Sequence, residues 1–253
     1  MKKATAGILG AVVLMTLAAL PGYGQTAQSA QSNKEAMAVL NRMIDAMGGR
    51  KALEAVKDTT IAGTAEIPQY GISASITMYQ KEPNKMRMDI DIAAAGMTIT
   101  QAFDGQKGWW TNPQTGTTEE MPEAMAKDTM HQALGNDSFL NPQKLGITYA
   151  LKPKAKIEDK DHIVLEQTLA DGHKTTMYLD PTTYLPYKTT TLASDMTGAE
   201  VETESYLTDY RKVGGLMVAH AMRNLQNGAE VQRISIASVT YNTNLDDALF
   251  RMK

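Results

Sequence analysis

Apolar and polar positions change period along the chain, and each change marks a new element. Met37, Leu40, Ile44 and Met47 recur at helical spacing behind Ser32-Asn33-Lys34-Glu35, which has the form of a capping box, and Gly48-Gly49 stops the run. A short second helix is predicted over residues 50–56, with Leu53 and Val56 on one side. From Thr59 the period falls to two. Ile72, Ala74, Ile76 and Met78 alternate with Ser73, Ser75, Thr77 and Tyr79, and Met86, Met88, Ile90 and Ile92 alternate with Arg87, Asp89 and Asp91. Met97, Ile99 and Phe103 follow on one side, opposite Thr98 and Thr100. Such alternation marks antiparallel strands with one apolar and one wet face.

Turn chemistry separates these runs. Pro83-Asn84, Asp104-Gly105, Asp171-Gly172, Gly214-Gly215 and Asn227-Gly228 each stand between strand-like segments. Further strands are predicted over residues 147–151, 163–169, 175–179, 184–192, 201–210, 216–225 and 231–241. So many sequential hairpins fit one large curved antiparallel sheet better than two small domains. The exception is residues 122–134, a helix opened by Pro122 and stopped by Gly135. Met125, Ala126, Met130, Ala133 and Leu134 are expected on one side of it, and Lys127, Asp128 and His131 on the other. A lone amphipathic helix between meander strands must cover something, and the apolar sheet face is what is available. The fold class is therefore mainly β with some α, a curved antiparallel sheet covered by helices.

The amino terminus has a different character. Lys2 and Lys3 precede an uncharged apolar stretch over residues 4–20, then Pro21 and small residues, the order of a cleaved secretory signal. A membrane span needs about 20 strongly apolar residues, and this stretch carries several Ala, Gly and Thr. The expected organisation is a signal peptide over residues 1–24, a flexible polar leader over 25–33 and one domain over 34–253. Export to the periplasm follows as an expectation.

Composition narrows the function. The 253 residues carry a net charge of −3, which offers no electrostatic footprint for nucleic acid. With no cysteine there is no disulfide, thiolate zinc site, thiol nucleophile or lipid-anchored N-terminal cysteine. No histidine stands in a two-histidine metal motif, and His162 beside Asp161 and His173 near Asp171 read as exposed polar residues at turns. No nucleophile elbow, P-loop or dinucleotide fingerprint occurs, so neither an enzymatic role nor a cofactor is expected. Methionine outnumbers phenylalanine 17 to 3, and many of the methionines fall on the inward face just drawn. Methionine suits a surface that must accept variable apolar shapes, and it also serves as core filler. Trp109 and Trp110 point to opposite faces of one strand, and Trp109 is assigned to the apolar side.

Residues 78–113 resemble the LolA/LolB-like lipoprotein-sorting family of the bacterial envelope. The matching features are a strand ending before Pro83-Asn84, the strand through Met86-Arg87-Met88, then Phe103-Asp104-Gly105 and Trp109-Trp110 before Asn112-Pro113. Leu179-Asp180-Pro181 with Leu185-Pro186, and the ending Asp246-Asp247-Ala248-Leu249-Phe250, are similar to later features of the family. The resemblance implies an unclosed β-barrel with helices over its mouth and an apolar interior that holds lipoprotein acyl chains. Glu82 stands where soluble carriers of the family place a lid-latching arginine, and Arg87 is expected to face solvent. The implied lipid-binding residues are Ile72, Ile76, Met78, Met86, Met88, Ile90, Met97, Ile99, Phe103 and Trp109, with Met125, Met130 and Leu134 on the covering helix. The implied partners are lipoprotein acyl chains or another lipid, with a membrane-protein donor or acceptor. An envelope-stress sensor or protein-docking module on the same fold is the alternative.

Overall fold

The computed structural model describes residues 23–194 and 199–252. The expected signal peptide falls almost wholly outside them. Helix α1 (Tyr23–Ala46) begins earlier than predicted, so the segment over residues 25–33 is helical rather than a flexible leader. Its Ala and Gln residues have good helix propensity and no proline interrupts them, so the Ser32 capping motif does not start the helix. Helix α2 (Arg50–Ala55) follows the Gly48-Gly49 turn as expected. Gly48 is required there: its φ is 126°, and a Cβ would lie 2.6 Å from the Gly215 carbonyl oxygen.

Among the described residues thirteen strands then form one antiparallel sheet. They are β1 (Asp58–Ile67), β2 (Ile72–Lys81), β3 (Lys85–Ile92), β4 (Met97–Phe103), β5 (Gly108–Thr111) and β6 (Thr118–Glu120), then β7 (Thr148–Ile157), β8 (Lys160–Thr168), β9 (Lys174–Leu179), β10 (Pro186–Ser194), β11 (Glu200–Val213), β12 (Leu216–Gln226) and β13 (Ala229–Tyr241). The spatial order runs β6 to β1, then β13 down to β7, so first and last strands pair in the middle and β6 and β7 are the edges. Edge strand β7 carries Lys152, Pro153, Lys154 and Lys156, which discourage further pairing.

The chain passes from one edge to the other through α3 (Glu123–Gln132) and α4 (Asp137–Leu140). Helix α3 touches β4 and β5 on one side and β10 on the other, so this passage crosses the mouth of the curved sheet. The sheet is thus an unclosed half-barrel with helices over its concave side. Helix α1 fills the β7–β9 half: Ala36, Leu40, Met43 and Ile44 pack with Tyr149, Leu165, Met177 and Leu179 as the main core. The carboxyl-terminal segment lies on the outer face of the other half, where Phe250 is fully buried.

Candidate functional site

Strand register defines the concave face. Ile61, Met78 and Met88 stand opposite one another across β1, β2 and β3, and Ile76, Ile90 and Ile99 do so across β2, β3 and β4. At the helix-covered end the sequence Gln80, Met86, Phe103 and Gly108 continues this face. Beneath the α3–α4 connector this face borders a cavity of about 320 Å³. Its walls come from Ile61 of β1, Leu207 and Tyr210 of β11, Val218 of β12, and Val239 and Tyr241 of β13, with Met47, Leu53, Leu134 and Phe139 contributed by the helices and connector. The volume falls at the lower end of the range for ligand sites, about 300–1,000 Å³.

Charge is scarce in these walls. Among the described residues, Asp58 and Glu82 are the only ionic ones lining the cavity. Asp58 is 3% exposed, and its two carboxylate oxygens accept the Thr243 (2.7 Å), Asn244 (3.0 Å) and Leu245 (3.4 Å) backbone N–H groups, which ties the end of β13 to β1. Glu82 accepts the Asn136 backbone N–H at 3.0 Å, and burial raises its pKa above the usual carboxylate value. Burial likewise raises the Tyr210 and Tyr241 phenols. Burial is the leading cause of all three shifts, with the Asp137 charge adding to that of Glu82: the site disfavours negative charge.

Two sets of polar contacts hold the crossing in place. On the β2–β3 side, Pro83 accepts the Gly135 N–H at 3.0 Å, Glu82 accepts that of Asn136, and the Asn136 amide donates to the Leu53 carbonyl at 3.1 Å. On the β8–β10 side, Asp128 accepts the Ser194 N–H at 2.7 Å, and Asp171 takes His131 Nε2 at 2.9 Å and Lys127 Nζ at 3.2 Å. The His131 and His173 rings lie 4.1 Å apart. Burial, and then the neighbouring His131, push the His173 pKa down. The His173 N–H, with help from His131 and Lys127, holds Asp171 well below the usual carboxylate range.

The structure separates the expected site residues into four groups. Met86 and Phe103, 2% and 4% exposed, pack with Ala133 and are flanked by Met78 and Met130, forming a plug beneath α3 rather than a free surface. Ile72, Met88, Ile90, Met97 and Ile99 are half-buried along the concave face, while Ile76 is buried in it. Leu134 alone of the expected residues lines the 320 Å³ cavity, and with Met130 it also borders a smaller apolar hollow near Ile147 and Leu169. Met125 and Trp109 belong elsewhere.

Helix α3 buries Thr129 and Ala133 and sets Ala126 against Gly108, so Met125 lies outside both buried clusters. Trp109 is opposite Ala102, in the same cross-strand row as Arg87, and faces outward. Its Nε1 donates to the Phe250 carbonyl at 2.7 Å beneath the carboxyl-terminal segment. Trp110 is the indole on the concave row, opposite Gln101, and its Nε1 is buried without a hydrogen-bond partner. Arg87 is on the outer face as expected, but it is engaged, pairing with Asp89 and donating to the Leu249 carbonyl at 3.0 Å.

Two histidine expectations are also corrected. His162 is 2% exposed, stacked on Tyr187 rather than displayed at a turn, and His173 is half-buried beside His131 rather than exposed. Among the described residues no group of three or more His, Asp or Glu is placed to hold a metal ion.

No protein-family model and no curated protein matches the sequence. Solved structures do match in shape. A putative outer-membrane lipoprotein-sorting protein domain from Vibrio parahaemolyticus superimposes with a TM-score of 0.60 at 14% identity, over 86% of this chain and 97% of that one. A LolA superfamily protein from Nitrosomonas europaea gives 0.58 at 16% identity, over 85% and 97%. The chain has the LolA-like fold. A DUF1329 family protein from Desulfovibrio piger shares this architecture, with a TM-score of 0.60 at 14% identity over 87% and 97% of the two chains. Within the LolA-like fold, the cavity wall missed in the sequence comes mainly from β11–β13. Leu207, Val239 and Tyr241 were readable there as apolar positions. A bulge opposite Ala62 and Gly63 and a positive φ at Asp209 interrupt the alternation that would have grouped them.

Proposed function

We propose that the protein is a periplasmic carrier that holds the acyl chains of a lipoprotein, or of another lipid, beneath the α3–α4 crossing and hands them to a membrane acceptor. The observation that carries this reading is the apolar cavity at the mouth of a LolA-like half-barrel, continuous by register through Ile61 with the half-buried Met78 and Met88 and bordered by the next row, Ile90 and Ile99. Each acyl methylene removed from water contributes about 0.8 kcal/mol, so about eight of them supply roughly 6 kcal/mol without covalent chemistry. The cavity is small for a whole lipid anchor, and the Met86-Phe103-Met130 plug is the part that yields: flexible methionines repack around a guest as α3 shifts. The ligand is bound and passed on unchanged.

Native mass spectrometry of the protein taken from an envelope extract without detergent tests this. The expected spectrum contains a 1:1 adduct with the mass of an acylated species. A protein that is always empty, and that takes up no fluorescent acyl probe, contradicts the proposal.

A further inference from the structure

The cavity and the cleft beside it are unevenly charged. On one flank the 320 Å³ cavity adjoins a more polar cleft that shares Leu53, Val56, Glu82 and Asn136 with it. Glu82 stands where the two meet. The cleft adds Glu54, Lys57 and Asp137, so its ionic side chains are three acids against one base. Among the described residues no Lys, Arg or His lines the cavity itself. An anionic head drawn in through this cleft would leave water, meet no cation among the cavity's described lining, and pass Glu54, Glu82 and Asp137 against the single base Lys57, whose Nζ donates to the Glu54 carbonyl at 2.9 Å. Burying an unpaired charge costs far more than burying a hydrogen-bonded neutral group.

A neutral head loses much less. Ester, amide or hydroxyl groups find hydrogen-bonding neighbours in the Asn136 amide, the half-buried Gln80 amide and the Tyr241 phenol. From this arrangement we propose that the site accepts an alkyl or acyl chain whose head carries no negative charge, and that Glu82 is the residue that excludes fatty acids and other anionic amphiphiles. The inference rests on the carrier reading above and adds the charge class of its ligand.

The test compares dodecanol with dodecanoate, both below their micellar concentrations, as competitors of an uncharged fluorescent acyl ester at pH 7.5. Dodecanol should displace the probe at least tenfold more tightly than dodecanoate. Glu82→Gln, which keeps the hydrogen bond to Asn136, should narrow that ratio severalfold by improving dodecanoate alone; Asp137→Asn should narrow it less. Dodecanoate binding as well as dodecanol to the unaltered protein overturns the charge inference and leaves the carrier reading standing. An unchanged ratio in Glu82→Gln overturns the assignment to Glu82. Failure of every uncharged ligand to bind saturably overturns the carrier reading and this inference with it.

Discussion

Gly135→Ala should destabilise the native chain by about 1 kcal/mol, yet stabilise a chain that already carries Glu82→Ala. A Cβ on Gly135 would lie 1.9 Å from Glu82 Oε2 and 2.5 Å from its Cδ, so the carboxylate must leave. Moving it outward breaks the 3.0 Å hydrogen bond from the Asn136 N–H. A hydrogen bond to a charged group is worth about 1.5–3 kcal/mol, and the lower end applies because Glu82 is only half-buried. Alanine recovers about 0.5 kcal/mol by restricting the unfolded chain, since Gly135 is not among the positive-φ glycines. The net loss near 1 kcal/mol corresponds to roughly 2–4 °C in Tm for a chain of this size. In the Glu82→Ala background the clash is gone and only the gain remains, so the coupling energy is about 1.5 kcal/mol. Urea denaturation of the four chains measures it. An equal cost of Gly135→Ala in both backgrounds refutes the view that Glu82 pins the connector.

Burial raises the Glu82 pKa above 4.5, so its contribution to stability is greatest below that pH and is lost as pH rises through the folded-state value. Glu82→Gln should therefore raise the urea midpoint at pH 7.5 and leave it nearly unchanged at pH 4. His173 has the opposite sign: its folded pKa lies below 6.5, so the stability it contributes at neutral pH declines as pH falls from 6.5 through the folded value. Asp171, Asp128, Lys127 and His131 surround it, and a proton on His173 sets a cation 4.1 Å from the tilted His131 ring and close to Lys127. Hydrogen exchange of the α3 amides, corrected for intrinsic rates, should show lower protection at pH 5.5 than at 7.5, and His173→Gln should flatten that difference. Ile61→Asp places a charge in the cavity wall and should abolish acyl-probe uptake, whereas Thr60→Asp, on the opposite face of β1, should not. Trp109→Phe removes the hydrogen bond to Phe250 and should cost about 1 kcal/mol in urea while leaving uptake intact; a large fall in uptake would return Trp109 to the concave side.

The sheet was readable because alternation and turn residues act locally. Met86, Met88 and Ile90 share a face for the same reason that Arg87 and Asp89 share the other, and the Asn-Gly, Asp-Gly and Gly-Gly turns fall between strands as expected. The faces of single tryptophans were harder to assign. Trp109 and Trp110 are equally apolar, and only the carboxyl-terminal segment, more than a hundred residues away, decides which of them is covered from outside. The same limit applies to the cavity. Met78, Met86 and Phe103 were correctly placed on the concave face, but whether a concave residue fills space or borders it depends on where α3 lands. That is fixed by contacts such as Gly108 against Ala126 and Asp128 with Ser194, which no local pattern encodes. Burial of His162 against Tyr187 and engagement of Arg87 by the carboxyl-terminal segment escaped for the same reason.

Photo-crosslinking with an uncharged acyl ester that carries a diazirine at its chain end tests the central claim most directly. The account predicts saturable labelling, competed by dodecanol, at peptides containing Ile61, Leu134 or Val239 on the cavity wall. Labelling confined to the outer face around Trp109 and Phe250, or labelling that does not saturate, would contradict it.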